Sequence, residues 1–127
     1  MTRQHRAQAR RQRDRERNRR HLHMVGGWTL DLVEARFDCP RGCLAKPGRG
    51  STSHILARQV AGYLMSTRVG LAYTEAARIL GRHDSTVAHA VRVVEGLRED
   101  PGLNARIAEL EKAVDALRSA VEPEAVA

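Results

Sequence analysis

From Ile55 to Val121 the apolar residues recur at steps of three and four, and that spacing commits the chain to helices. Ile55, Leu56, Val60, Tyr63 and Leu64 predict a helix over about 54–66, capped by Ser53 and stopped before Gly70. Thr74 is placed to cap EAARIL, whose Ala76, Ala77 and Leu80 turn inward until Gly81 breaks the helix. Asp84 or Ser85 caps the next helix, in which Val87, Ala90, Val91 and Val94 form one stripe up to about Arg98, before Pro101. A last amphipathic helix falls within 101–121, where Leu103, Ile107, Leu110, Val114, Leu117 and Val121 form a heptad seam. An independent coiled coil needs about three or four heptads, more than this seam has. It therefore either packs back on its own domain or docks a partner chain or second copy.

Upstream the signals are weaker. Trp28, Leu30, Leu32, Val33, Ala35 and Phe37 suggest a helix near 29–37, with Thr29 as a possible cap. Pro40 suits the first turn of a short helix reaching Leu44, and residues 45–53 read as a Gly-, Pro- and Ser-rich loop. With aromatics at only 3%, the core is built from Leu, Val, Ile and Ala. The expected fold class is all-α: a compact helical domain flanked by tails. No apolar run approaches the roughly 20 residues that span a bilayer. The polar start up to Arg20 lacks the apolar segment of a secretory leader. A cytoplasmic, nucleoid-associated location is the expectation.

The net charge of +7 is unevenly placed. Residues 1–23 carry nine arginines against Asp14 and Glu16. Residues 41–98 carry eight arginines and Lys46 against Glu75, Asp84 and Glu95. The stretches 24–40 and 99–127 are acidic. Two basic blocks suit a polyanion met by one tail and one face of the fold. Lacking apolar periodicity, residues 1–23 read as a disordered basic arm that lies along DNA or RNA phosphates or simply solubilises the chain. This divides the chain into the arm, a domain over 28–100, the amphipathic helix over 101–121 and a tail at 122–127.

Cys39 and Cys43 are the only cysteines. Without a secretory leader a disulfide framework is not expected. Their spacing resembles half of a metal site, with His54 the nearest further ligand, but no second Cys/His pair answers it. They read as small hydrophobes. No carboxylate pair or Cys/His dyad has usable spacing, and His21, His23 and His54 are expected in the arm or loops. Neither an enzyme nor a cofactor site is expected.

The segment Tyr73–Arg92, YTEAARILGRHDSTVAHAVR, reads as helix, glycine turn and helix. In a helix-turn-helix the second helix enters the major groove by its N-terminal end. Arg82, His83, Asp84, Ser85 and Thr86 stand at that end, with His89 one turn on. An ordinary αα-hairpin has the same outline; the surrounding positive charge favours the DNA-reading version.

Gly81–Ala90, GRHDSTVAHA, resembles the G-R-D-H-T-T-V-x-H-A signature of the C-terminal DNA-binding domain of the bacterial replication initiator DnaA. Arg58–Leu64, RQVAGYL, is similar to that family's R-Q-(M/I/V)-A-M-x-L helix, and LDLVEARFDCPRGCLAK is similar to its first two helices. The likeness covers about residues 28–100. It extends to small stand-alone regulators and to the DNA-binding part of gene-transfer-agent activators. The resemblance implies Arg58 in or beside the minor groove, Ser85 and Thr86 at the major-groove end of the recognition helix, and His83 and Asp84 at base-reading positions. It implies backbone contacts for Arg82, Gln59 and Thr74. Thr86 also suits a cap, Gln59 a solvated position, and His89 a brace for the fold or a phosphate.

Three departures matter, the first being that the turn has one glycine, Gly81, where the initiators usually have two. No G-x-x-x-x-G-K-[ST] loop occurs, so ATP-driven origin melting is not expected. The family's Asp-His pair is inverted to His83-Asp84, which implies a base preference unlike that for the DnaA box. The expected function is sequence-specific binding of double-stranded DNA as a transcription regulator. The alternatives are a replication accessory factor that shares or competes for origin boxes, and a nonspecific nucleoid or RNA-binding protein.

Overall fold

The computed structural model describes residues 1–121; the expected tail at 122–127 lies outside the described residues. The chain forms α1 (Arg3–Arg36), α2 (Thr52–Leu64), α3 (Tyr73–Leu80), α4 (Asp84–Leu97) and α5 (Pro101–Ala120), with no strand among the described residues. The all-α expectation is met. None of these helices is long and apolar enough to cross a membrane.

The largest departure is at the start. Residues 1–23 are not a disordered arm, and the helix expected near 29–37 does not begin there: both belong to α1, 34 residues long. Between Arg3 and Val25 the sequence has neither Gly nor Pro and is rich in Arg, Gln and Ala, which favour helix. Val25, Leu30 and Val33 are buried in the core and supply the costly nucleus from which the helix propagates. Thr2 accepts from His5 N at the cap. Thr29 is no cap; it is buried, and its hydroxyl donates to Val25 O at 2.8 Å.

After α1 the chain turns back on a buried carboxylate. Glu34, 2% exposed, accepts from Gly42 N at 3.1 Å and Leu44 N at 3.0 Å. Gly42 has φ +83°, which breaks any helix begun at Pro40; only a 3₁₀ turn, Cys43–Ala45, forms there. Ser51 rather than Ser53 caps α2, accepting from His54 N. The helix ends in a single π turn, Met65–Val69, closed by Gly70 at φ +90°. At α3 the cap position is Ala72, and Thr74 sits exposed inside the first turn, because Ala72 O already receives the N–H groups of Glu75 and Ala76.

Pro101 opens α5 rather than only ending α4, with Asp100 accepting from Leu103 N at 2.8 Å. The heptad seam is internal. Ile107, Leu110 and Val114 are buried in the domain core, and Leu103 and Leu117 are half-buried. Partner docking or self-association through Leu103, Ile107, Leu110, Val114 and Leu117 is therefore not how the seam is used: each fully buried aliphatic contributes about 1.5–3 kcal/mol to this domain instead. Ion pairs Arg36–Glu109, Arg68–Asp115 and Arg98–Glu111 tie α5 down.

The helices form layers. α1 packs on α2, α3 and α5, whereas α4 packs mainly on α2 and α3. The outer face of α1 and the exposed face of α4 thus lie on opposite sides of the α2–α3 layer.

Candidate nucleic-acid interface

The turn between α3 and α4 is fixed by backbone. Gly81 adopts φ +62°, and Arg82 N donates to Ala77 O at 2.9 Å, which closes the end of α3. A Cβ on Gly81 would stand 3.0 Å from Ala45 O, so a side chain there would push against the preceding loop as well as strain the backbone. One glycine suffices for the turn.

At the start of α4 the cap is His83, not Asp84 or Ser85. Its Nδ1 accepts from Ser85 N at 3.3 Å and lies 2.8 Å from Asp84 Oδ1. One ring nitrogen cannot do both at once. Without a hydrogen, Nδ1 accepts from Ser85 N and caps the helix; in the tautomer that carries one, it donates to Asp84. Asp84 is the first helical residue, where its carboxylate suits the positive end of the helix.

Ser85, Thr86 and His89 are exposed on the outer side of α4, while Val87, Ala90 and Val91 face the core. With Arg58, Gln59, Arg82, Arg49 and Ile55, among others, they line a groove of about 640 Å³ between α2, α4 and the loop before α2. Six of the nine expected site residues meet there: Arg58, Gln59, Arg82, Ser85, Thr86 and His89. Thr74, His83 and Asp84 are not among its lining residues. His89 is exposed, so it does not brace the core.

The two arginines assigned to DNA are occupied by protein. Arg58 is 8% exposed; its Nε donates to Leu44 O at 3.0 Å and its Nη1 to Arg49 O at 3.2 Å. Burial, then the Arg82 charge, holds its guanidinium below the usual arginine range. Arg82 Nη2 donates to Lys46 O at 2.7 Å and Gly48 O at 2.8 Å, and its Nη1 to the Leu80 and Gly81 carbonyls. Together they staple loop 44–49 to α2 and to the turn between α3 and α4. That loop presents exposed Lys46 and Arg49, neither among the nine expected site residues. Their basic side chains in a Gly-Pro-rich loop beside the R-Q helix were the available signal.

Cys39 is buried and Cys43 half-buried, both as free thiols. His54 lies in the first turn of α2, not in a loop, with Nδ1 3.5 Å from Cys43 Sγ, a pairing made only by the fold. Among the described residues no group of three or more His, Cys, Asp or Glu is arranged to hold a metal ion. Comparison with known proteins adds no identity: no protein-family model, curated protein or solved structure matches the chain.

Proposed function

We propose that residues 28–100 read duplex DNA sequence-specifically and that the protein regulates transcription at a promoter site, acting by binding rather than catalysis. One observation carries this reading. Exposed Ser85, Thr86 and His89 on the first turns of α4 share a groove with Arg49, Arg58 and Arg82. Short polar side chains at a helix N-terminus suit base edges, and exposed Arg49 and Lys46, on the loop that Arg58 and Arg82 hold, suit phosphates. The resemblance of GRHDSTVAHA to the initiators' signature supports the same element. The inverted His83-Asp84 pair favours a site other than the DnaA box, and so a promoter over an origin.

Selection from random duplexes with the purified protein tests this. A recurrent motif is expected, with Thr86→Ala costing about 1–3 kcal/mol on that motif and little on random duplexes. No enrichment, or equal losses on both, refutes base reading. Tight binding of the unmodified protein to a DnaA box would instead favour the replication role.

A further inference from the structure

The arginines of α1 fall into two rows. Arg3, Arg6, Arg10, Arg13, Arg17 and Arg20 recur at alternating steps of three and four, whereas Arg11, Arg15 and Arg19 recur every four. At 3.6 residues per turn the first row occupies about 100° of arc. The same register continues through Met24, Trp28 and Ala35, which are exposed. The opposite face carries Val25, Gly26, Leu30 and Val33, buried against the domain. Five of the row of six therefore point away from the fold, while Arg20 at its end borders Glu75 and Arg78 of α3 together with Arg19 and His23. The row of three lies on the domain side, where Arg19 Nε is 3.7 Å from Glu75 Oε1 on α3.

Like charges on one exposed face repel each other, and from Arg3 to Arg17 no other helix among the described residues offers them a partner. The one acid at the edge of the row, Asp14, is 3.9 Å from Arg17. From Arg3 to Arg20 the row is roughly 26 Å long at 1.5 Å per residue. A duplex of that length presents about fifteen phosphates. A single exposed tryptophan is no stacking platform for a strand of bases, so the row suits phosphates rather than unpaired bases.

A duplex seated at α4 cannot also meet this row. The part of α1 that packs, from Val25 on, lies on the side of the α2–α3 layer away from α4, and the row continues its outward face beyond that layer. Duplex DNA is stiff over about 150 base pairs, so a short site does not wrap round the domain. We infer that the outward row on α1 is a second polyanion site that takes a second duplex segment, so that one protein joins two duplexes. The first duplex rests on the proposed function; the second does not depend on its sequence.

The test uses the full chain. A 30-base-pair duplex is immobilised and saturated with protein, and a labelled duplex of unrelated sequence is offered to the complex. Two variants of equal charge are compared: Arg6→Gln, Arg13→Gln and Arg17→Gln in the outward row, and Arg11→Gln, Arg15→Gln and Arg19→Gln in the inward row. Glutamine keeps helix propensity, and circular dichroism checks α1. The outward variant is expected to lose capture of the second duplex by about tenfold and to flatten its salt dependence, with affinity for the first duplex nearly unchanged. Lysine at the same three positions restores capture, since phosphate attraction needs charge and not a fork. Equal losses from both variants overturn the site, because net charge alone would then explain capture. Loss of first-duplex affinity in the outward variant overturns it too, by laying the row on the same duplex. Binding of single-stranded RNA but not of the second duplex overturns the choice of ligand. If capture holds but selection finds no motif, the bridging stands and the regulatory reading falls.

Discussion

Replacing Arg58 by alanine separates two roles for this side chain. The resemblance assigns it to the minor groove, whereas the fold spends two of its nitrogens on Leu44 O and Arg49 O. Alanine leaves Leu44 O, on a fully buried residue, without its donor, at about 1–3 kcal/mol. Arg49 is exposed, and water replaces most of the second bond. Removing the guanidinium also relieves its burial and its repulsion by Arg82, which offsets part of the loss. The net expectation is destabilisation by about 2 kcal/mol, or roughly 6–12 °C in Tm for a chain of this size. Thermal melts followed by far-UV circular dichroism read the stability. Duplex affinity is measured by anisotropy well below both midpoints. A Tm within about 1 °C of wild type, with affinity strongly reduced, would refute the stapling argument and return Arg58 to the DNA.

Gly27 lies inside α1 with nothing within 4 Å of an added Cβ, so Gly27→Ala should stabilise by about 0.5–1 kcal/mol. At Gly26 the same Cβ would sit 2.7 Å from Leu71 Cδ1 and 2.8 Å from Ile79 Cδ1; urea titration should rank Gly26→Ala clearly below Gly27→Ala. Exchanging the pair, His83→Asp with Asp84→His, puts a preferred residue at the cap of α4 and should raise stability by about 0.5–1 kcal/mol while moving base preference toward the DnaA box, as a melt and a binding titration would show. Burial, with Cys43 and Glu34 adding to it, pushes the Cys39 thiol up. Above about pH 8.5 the unfolded chain then loses a proton that the folded chain keeps. Stability should therefore fall as pH rises, and denaturation across alkaline pH should show a shallower fall for Cys39→Ala.

The helices after residue 50 were legible because their burial follows the apolar steps: Val60, Leu64, Leu80, Val87, Val94, Ile107 and Val114 are all core. The caps were misread by one or two residues where several capping residues stand together. Ser51, Thr52 and Ser53 all qualify, and the one chosen depends on where the Cys43–Ala45 turn delivers the chain. Histidine is a poor cap by frequency, yet the His83 ring nitrogen reaches Ser85 N. The arm was misread for a different reason. Charge density argued for disorder, but Val25, Leu30 and Val33 anchor a helix that the arginines can extend. That six of the nine expected residues gather in one groove was legible, and side-chain direction was not: Arg82 turns to carbonyls 34 and 36 residues away in sequence.

That direction has a consequence for how affinity is distributed. If Arg82 acts by holding the loop, its loss frees Lys46–Gly48 and loosens the neighbouring Arg49, which lines the groove and keeps only the Arg58 bond to its carbonyl. Arg49→Ala should then weaken duplex binding strongly in the wild-type background and only slightly after Arg82→Ala, because an unheld Arg49 must be ordered on binding at a cost of about 0.5–1.5 kcal/mol. The coupling in a double-mutant cycle is expected to exceed 0.5 kcal/mol, the range seen for residues sharing a structural unit. Two independent phosphate contacts would instead give additive losses and add their salt slopes, each about 0.9 in log K against log salt. Anisotropy titrations of the four proteins at several salt concentrations distinguish these outcomes. Additive losses would mean that Arg82 leaves its carbonyls for the DNA, and loop stapling would then have no part in binding.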